Sequence, residues 1–227
     1  WIKVDISQTK EMKGVFSHVR IGSELQRRDM LLLALMASEN RAAATLAHHY
    51  SGGYDAFIQA MNDKAKALGM SNSHFVDPTG LSPQNVSTPR DLARLIQASA
   101  KDPLIAELST TPKKDMTFRA PKHVRAFYNT NPLVRTNSWN IDASKTGFIN
   151  QAGRCLVLQA EIQKRHVAIV LLDSFGKHSH IGDAGRVRRW LETGNGGTVH
   201  PSALAYAKQR QQQLMMVAGK DPSTETH

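Results

Sequence analysis

The chain has 227 residues, of which 41% are hydrophobic, so it is long enough to bury one sizeable core. No apolar run approaches the roughly 20 residues that a membrane-spanning helix needs, and we expect a globular protein that is peripheral to a membrane at most. The formal net charge of +10 predicts attraction to polyanions. With three Trp and four Tyr, and with Lys and Arg spread along the chain, the composition does not favour a nucleic-acid-binding surface.

Apolar residues alternate near the start of the chain and predict a strand, a turn and a second strand within residues 1–20. This segment contains Ser7-Gln8-Thr9-Lys10, which spells Ser-x-x-Lys. A serine nucleophile of that motif begins a buried helix, so that the lysine one turn later faces it and removes its proton. Residues 11–14, Glu-Met-Lys-Gly, cannot continue a buried helix. We therefore expect that Ser7 and Lys10 are not catalytic.

The next hundred residues have helical periodicity, broken by polar segments and prolines. Ser87 or Thr88 is a suitable N-cap for a helix with Pro89 in its first turn, and Asp102-Pro103 interrupts that helix. The predicted helices cover Glu24 to about Ala37, residues after 40 to about Tyr50, Tyr54 to Leu68, residues after 88 to 101, and a short segment that ends at Leu108.

The second half of the chain predicts strands and one closing helix. Residues 110–134 are polar and lack a helical period, so irregular strands are expected there. The alternating runs 156–162 and 167–173 predict an antiparallel hairpin, and a helix is expected after Gly182. We divide the chain into a domain of residues 1–194 and an appended segment, 195–227. That segment is expected to hold a linker, a loosely attached polar helix over 203–216 and a disordered tail from 220.

The single cysteine and a group of two histidines and one aspartate are interpreted as structural, not as reactive or metal-binding, residues. Cys155 is the one cysteine and lies in an alternating apolar strand, so we expect a buried small hydrophobe and no internal disulfide. His178, His180 and Asp183 lack a fourth metal ligand and are expected to be exposed loop residues.

The most informative stretch is Ser144-Lys145-Thr146-Gly147-Phe148, at the start of a predicted strand. Alternate strand residues share a face, and Gly147 leaves room for a molecule to lie against the backbone. The backbone N–H of Phe148 could then donate to a developing oxyanion. Lys-Thr-Gly alone is more typical of a solvated strand end, so the functional interpretation needs a second motif.

A second motif, Ser38-Glu39-Asn40, separates two predicted helices. Ser38 or Asn40 could cap the second helix. Alternatively, the break aims a hydroxyl and an amide into a cleft, where the hydroxyl passes a proton and the amide holds a substrate amide.

Ser-x-Asn and Lys-Thr-Gly are two of the three motifs of penicillin-binding proteins and serine β-lactamases. From residue 1 to about residue 194 the chain resembles the D-alanyl-D-alanine carboxypeptidase and endopeptidase branch, most closely the small endopeptidases that cut peptidoglycan cross-links. The further landmarks are Met36 to Ala43, Met61-Asn62 with Ala65, Leu68-Gly69-Met70, His74 to Leu81, Ser87 to Ala93 and Asn129-Thr130-Asn131.

The resemblance implies an α+β fold in which helices flank an antiparallel sheet, here without an N-terminal strand and helix. It implies serine acyl transfer, in which Ser38 passes the proton and Asn40 holds the substrate amide. Lys145 and Thr146 would position the substrate carboxylate or carbonyl beside Gly147, and the N–H of Phe148 would form half of the oxyanion hole. An arginine that related carboxypeptidases place near the carboxylate has no clear counterpart among Lys177, His178 and His180.

The resemblance also implies partners and a compartment. The partners are peptidoglycan stem peptides, with β-lactam antibiotics as inhibitors and no metal or organic cofactor, and the location is periplasmic. The sequence begins with Trp1, not with Met, and shows no signal segment. We expect that the catalytic Ser-x-x-Lys helix belongs upstream of Trp1, and that this chain alone is inactive. The alternatives are a carboxypeptidase that trims stem peptides, a non-catalytic peptidoglycan-binding module and a basic nucleic-acid-binding domain.

Overall fold

A computed structural model describes residues 1–6, 9–136 and 138–218. Its helical half follows the predicted order, and the predicted cap is confirmed, because Thr88 Oγ1 accepts a hydrogen bond from Asp91 N. Asp102 caps the next helix by accepting from Leu104 N and Ile105 N, which explains the break before Pro103. The five helices are α1 (Arg27–Met36), α2 (Asn40–His48), α3 (Gly53–Ala67), α4 (Pro89–Ala100) and α5 (Pro103–Ser109).

Helix α1 begins three residues later than predicted. Strand β1 (Ile2–Lys3) pairs antiparallel with β2 (Glu24–Leu25), so Glu24 lies in a strand opposite Lys3. Leu25 is fully buried against α1. This burial and the backbone pairing outweigh the helical periodicity of the segment. The second strand predicted after Lys13-Gly14 is wrong, because residues 15–21 form no strand; a 3₁₀ turn, Lys10–Met12, precedes them, and Ser7 lies outside the described residues.

Residues 110–134 contain strands, as predicted, but the prediction that these strands are irregular is wrong. Strands β3 (Lys113–Phe118) and β4 (His123–Tyr128) form a regular antiparallel hairpin, and helix α6 (Pro132–Arg135) follows. Met116, Phe118 and Phe127 are buried in the core that contains α1. The many Lys and Arg residues of this segment obscured its apolar face in the sequence.

The main sheet has the order β5-β6-β7 and is antiparallel throughout. Its strands are β5 (Asn140–Ile149), β6 (Gly153–Ile162) and β7 (Arg165–Ser174), which confirms the predicted hairpin. Helix α7 (Ser179–Thr193) contacts β6 and β7, and α4 contacts all three strands. A second core forms between this sheet and α7, so the predicted α+β class with flanking helices is confirmed.

Helix α8 (Pro201–Ala218) is longer than predicted, and the prediction of loose attachment is wrong. Tyr206 Oη donates to Asp173 Oδ1 at 2.7 Å, and Arg210 Nε donates to Asp173 Oδ2 at 2.6 Å. These bonds fix α8 to the end of β7. The tail predicted from residue 220 lies outside the described residues. Within the described ranges, every helix is too short or too polar to cross a bilayer.

The sheet core gives a stability test. Leu158 is fully buried between β6 and α7, so Leu158→Ala should lower the free energy of unfolding by about 2–5 kcal/mol. Leu204, 57% exposed on α8, is the matched control, and Leu204→Ala should change it by less than about 0.5 kcal/mol. Urea unfolding followed by circular dichroism measures both. Equal effects of the two substitutions would contradict the placement of this core.

Candidate active site

Lys145 and Ser38, which are 107 positions apart in the sequence, are in direct contact. Lys145 Nζ donates a hydrogen bond to Ser38 Oγ at 2.5 Å and another to the Thr146 carbonyl oxygen at 2.7 Å. Both Lys145 and Ser38 are half-buried. Lys-Thr-Gly is therefore not a solvated strand end, and the predicted meeting of the two motifs is confirmed for this pair.

Ser38 occupies a strained turn between α1 and α2. Its φ of +55° is in the left-handed region, where a residue with a Cβ is disfavoured by about 1–2 kcal/mol. Ala37 N and Glu39 N both donate to the Leu33 carbonyl, so the chain reverses tightly at this point. The N-cap of α2 is Glu39, without a side-chain capping bond. The interpretation of Ser38 or Asn40 as a capping residue is therefore wrong.

Buried polar contacts hold this turn in place. The carboxylate of Glu39 is buried and accepts a hydrogen bond from the Ser17 hydroxyl. Arg41 Nη1 donates to the Val19 carbonyl at 2.8 Å. Residues 17–19 are thereby fixed to the start of α2. Sequence reasoning missed Glu39 and Arg41, because a charged pair beside Asn40 is typical of a solvent-exposed helix start.

Asn40 is the first residue of α2 and faces the segment of residues 71–88. Its Nδ2 donates to the Thr79 carbonyl oxygen at 3.0 Å. Among the described residues nothing donates to Asn40 Oδ1, so this acceptor remains available to a ligand. This contact orients the Asn40 amide, which the sequence predicted as a site residue. Sequence reasoning assigned Thr79 no role beyond that of a turn residue.

Thr130, which sequence reasoning left without a role, connects the helical half to strand β5. Thr146 Oγ1 donates to Thr130 Oγ1 at 2.6 Å, and Thr130 N donates to the Met36 carbonyl at 2.9 Å. Next to it, Asn131 Nδ2 donates to Ser144 Oγ at 2.7 Å. The loop after β4 therefore fixes Lys145 and its neighbours beside the end of α1. The signal for this junction was the landmark Asn129-Thr130-Asn131.

Gly147 and Phe148 continue β5 beyond the lysine, opposite Cys155 and Arg154 of β6. A Cβ at position 147 would lie 3.9 Å from Cys155 Cβ, an ordinary contact, so packing within the chain does not require glycine there. Phe148 is 52% exposed, with the Arg154 guanidinium 4.2 Å from its ring centroid. β5 is an edge strand of its sheet, so an extended ligand can approach along it.

Burial lowers the pKa of Lys145 to about 8. The side chain is therefore mainly a cation at neutral pH, yet it loses its proton at mildly alkaline pH. Burial raises the pKa of the Cys155 thiol, so this half-buried cysteine is a weak nucleophile.

The remaining predicted groups either make no hydrogen bond or ion pair with Ser38, Asn40 or Lys145 within the described residues, or are untested. Lys10 begins the three-residue 3₁₀ turn, not a long helix, and Ser7 is not described. The described residues contain no cluster of three or more His, Cys, Asp or Glu that could hold a metal. The prediction that His180 and Asp183 are exposed loop residues is wrong. Both lie in α7, where His180 is buried and Asp183 pairs with Arg186.

Comparison with known proteins identifies the family. Residues 2–176 match the family described as D-alanyl-D-alanine carboxypeptidase. The chain belongs to this serine peptidase family. It is 58% identical over 213 residues to the D-alanyl-D-alanine endopeptidase of Escherichia coli K12, which covers 94% of this chain and 69% of the relative. It is 56% identical over 209 residues to that of Pseudomonas aeruginosa, with 92% and 67% covered.

Solved structures of the same kind share the fold. The Streptomyces K15 DD-transpeptidase superposes with a TM-score of 0.72 at 25% identity, and the match covers 81% of the present chain and 75% of the transpeptidase. A D-alanyl-D-alanine carboxypeptidase from Mycobacterium tuberculosis gives 0.66 at 26% identity, with 77% and 67% covered. The predicted family and its transpeptidase-like fold are confirmed.

The left-handed conformation of Ser38 leads to a prediction about stability. Ser38→Ala and Ser38→Gly both remove the hydroxyl that contacts Lys145, but only glycine adopts a φ of +55° without strain. Ser38→Gly should therefore be more stable than Ser38→Ala by about 1 kcal/mol, the strain released less the larger chain entropy of glycine. Chemical unfolding of the two variants measures this difference. An alanine variant as stable as the glycine variant would contradict the strained turn.

Proposed function

We propose that this chain supplies the substrate-binding and proton-transfer residues of a serine-type D-alanyl-D-alanine endopeptidase, which cleaves peptidoglycan cross-links by penicillin-sensitive acyl-enzyme chemistry. The observation that carries the proposal is the contact of Lys145 Nζ with Ser38 Oγ beside the edge of β5. Two relatives that are 58% and 56% identical to the chain are both named endopeptidases, which favours cross-link cleavage over the trimming of terminal D-alanine.

The cleft residues have complementary roles in this proposal. The Lys145 cation attracts the substrate carboxylate, and Thr146, held by Thr130, fixes the substrate along β5 beside Gly147. The free Oδ1 of Asn40 accepts the N–H of a substrate amide. The N–H of Phe148 donates to the oxyanion of the tetrahedral intermediate.

Ser38 is proposed to carry the proton to the leaving amine. Its Oγ accepts a hydrogen bond from an ammonium whose pKa of about 8 allows proton exchange near neutral pH. The nucleophile in this family belongs to a Ser-x-x-Lys motif. Because Lys10 begins a short 3₁₀ turn, we propose that Ser7 and Lys10 do not supply it and that the 227-residue chain alone forms no acyl-enzyme.

The domain division and the location remain proposals. Residues 1–194 form the peptidase domain and residues 195–227 are appended to it. The substrate, the bacterial wall, lies outside the cytoplasmic membrane, so we propose a periplasmic protein. Its net charge of +10 would favour adsorption to that anionic polymer.

Labelling with a fluorescent penicillin, followed by a denaturing gel, tests the chemistry. We expect no covalent band with the 227-residue chain, and a strong band when a Ser-x-x-Lys segment of the family is fused ahead of Trp1. The fused form should also convert cross-linked muropeptide dimers to monomers, which chromatography detects.

Three results would contradict this proposal. A band from the 227-residue chain that disappears in Ser7→Ala would identify Ser7 as the nucleophile. Loss of terminal D-alanine without cleavage of dimers would indicate a carboxypeptidase. Peptidoglycan binding without labelling of either form would indicate a non-catalytic module.

The low pKa of Lys145 predicts how ligand binding depends on pH. An N-acetylated peptide that ends in D-alanyl-D-alanine carries a single charge, its carboxylate. Its affinity should be constant below pH 8 and fall roughly tenfold per pH unit above it, because Lys145 of the free protein loses its charge. The bound carboxylate raises the pKa of Lys145, so the fall in affinity ends at the pKa that Lys145 has in the complex. Isothermal titration calorimetry from pH 6.5 to 9.5 measures this.

Lys145→Arg is the matched control, because a guanidinium stays charged throughout this range. If the variant binds, its affinity should not fall above pH 8. A wild-type affinity that is constant up to pH 9.5 would contradict the role of Lys145 as the carboxylate-binding cation.

A further inference from the structure

The segment of residues 71–88 is organised by one buried carboxylate. Asp77 is fully buried, and its Oδ1 accepts hydrogen bonds from Thr79 N at 2.9 Å and from Thr79 Oγ1 at 2.6 Å. Its Oδ2 accepts from Leu81 N at 2.8 Å and from Ser82 N at 3.1 Å. No basic side chain of the described residues pairs with it, so the carboxylate is stabilised by N–H and O–H donors of its own loop.

This loop is connected directly to the candidate active site through Thr79. The N–H and hydroxyl of Thr79 bond to Asp77, while its carbonyl oxygen accepts from Asn40 Nδ2 at 3.0 Å. Because the Asp77 carboxylate fixes both donors of Thr79, it also fixes the direction of the carbonyl. That carbonyl selects the orientation of the Asn40 amide in which Nδ2 points to the loop and Oδ1 is free.

We propose that Asp77 is a positioning residue for the reaction, acting on substrate through the Thr79 carbonyl and the Asn40 amide. The inference rests on the proposed function, in which Asn40 Oδ1 accepts a substrate N–H. An asparagine at position 77 would present an NH₂ group to the N–H groups of Leu81 and Ser82 or to Thr79 N. One set of donors would lose its acceptor, and the loop would shift.

Asp91 provides a matched control in the same region. It is as fully buried as Asp77, and its carboxylate accepts from Asn72 N at 2.8 Å and from Ser73 Oγ at 2.9 Å. It also pairs with Arg94 at 2.7 Å. These bonds hold the start of the segment and do not involve Thr79. Asp91→Asn therefore removes an equally buried carboxylate of the same region without releasing the carbonyl that contacts Asn40.

The test uses two readouts on Asp77→Asn, Asp91→Asn, Asn40→Ala and the double variant of Asp77 and Asn40. The first is the Asn40 side-chain NH₂ signal in a ¹⁵N NMR spectrum of the chain. The second is the affinity for the N-acetylated D-alanyl-D-alanine peptide, measured by calorimetry. Thr79→Val, which removes one bond to Asp77, replaces Asp77→Asn if that variant does not fold.

We expect the Asn40 NH₂ signal to shift in Asp77→Asn and to stay in place in Asp91→Asn. Asp77→Asn and Asn40→Ala should each lower the affinity for the peptide about tenfold. The double variant should bind the peptide as tightly as Asn40→Ala does, because both substitutions act through the same amide. Asp91→Asn should lower stability and change affinity less than twofold.

Distinct results separate this inference from the proposed function. An unshifted Asn40 signal in Asp77→Asn, or losses of affinity that multiply in the double variant, would overturn the positioning role of Asp77. A shifted signal supports that role. If Asn40→Ala then leaves affinity unchanged, the failure lies in the proposed function of Asn40, not in its orientation by Asp77.

Discussion

The candidate active site depends on the hydrogen bond between the Lys145 ammonium and the Ser38 hydroxyl. These groups belong to different parts of the fold. Ser38 follows α1, which is buried with the β3–β4 hairpin, whereas Lys145 lies on β5 of the sheet whose core contains α7. The bond of Thr146 to Thr130 joins the same two parts one residue away. The site therefore lies where the two cores meet, and the packing of both determines its geometry.

Two local features of the site oppose stability. Ser38 is held in a left-handed conformation, and burial disfavours the charged form of Lys145. Such features persist where the surroundings impose them, and they are concentrated at functional sites. Here the buried Glu39 carboxylate, with its bond from Ser17, supplies part of that support. The cost is consistent with a hydroxyl and an ammonium kept close together for proton transfer.

Much of the fold and the central contact could be predicted from sequence, because the signals were local or belonged to a motif. Thr88 followed by Pro89 marks the start of α4, and alternation identifies β6 and β7. Ser38 and Lys145 were paired through the Ser-x-Asn and Lys-Thr-Gly motifs. Neither motif reveals that Asn40 is oriented by Thr79, since a side chain bonding to a backbone carbonyl 39 positions away has no periodic signature.

Other misses have the same physical origin. Glu24 joins a strand because its pairing partner, Lys3, is brought near by the packing of Leu25. His180 is buried by the way α7 meets the sheet, although its polar neighbours are typical of a loop. Helix α8 is held by Asp173, a residue more than 30 positions earlier. Each outcome was decided by tertiary contacts between distant residues, which single-sequence patterns do not encode.

A double-mutant cycle between Ser38→Ala and Lys145→Met, measured by chemical unfolding of the four proteins, tests the central contact most directly. A direct hydrogen bond between the two side chains predicts a coupling free energy above about 0.5 kcal/mol. Effects on the free energy of unfolding that add within about 0.3 kcal/mol would show that the two groups do not interact, and would contradict the contact on which the candidate active site depends.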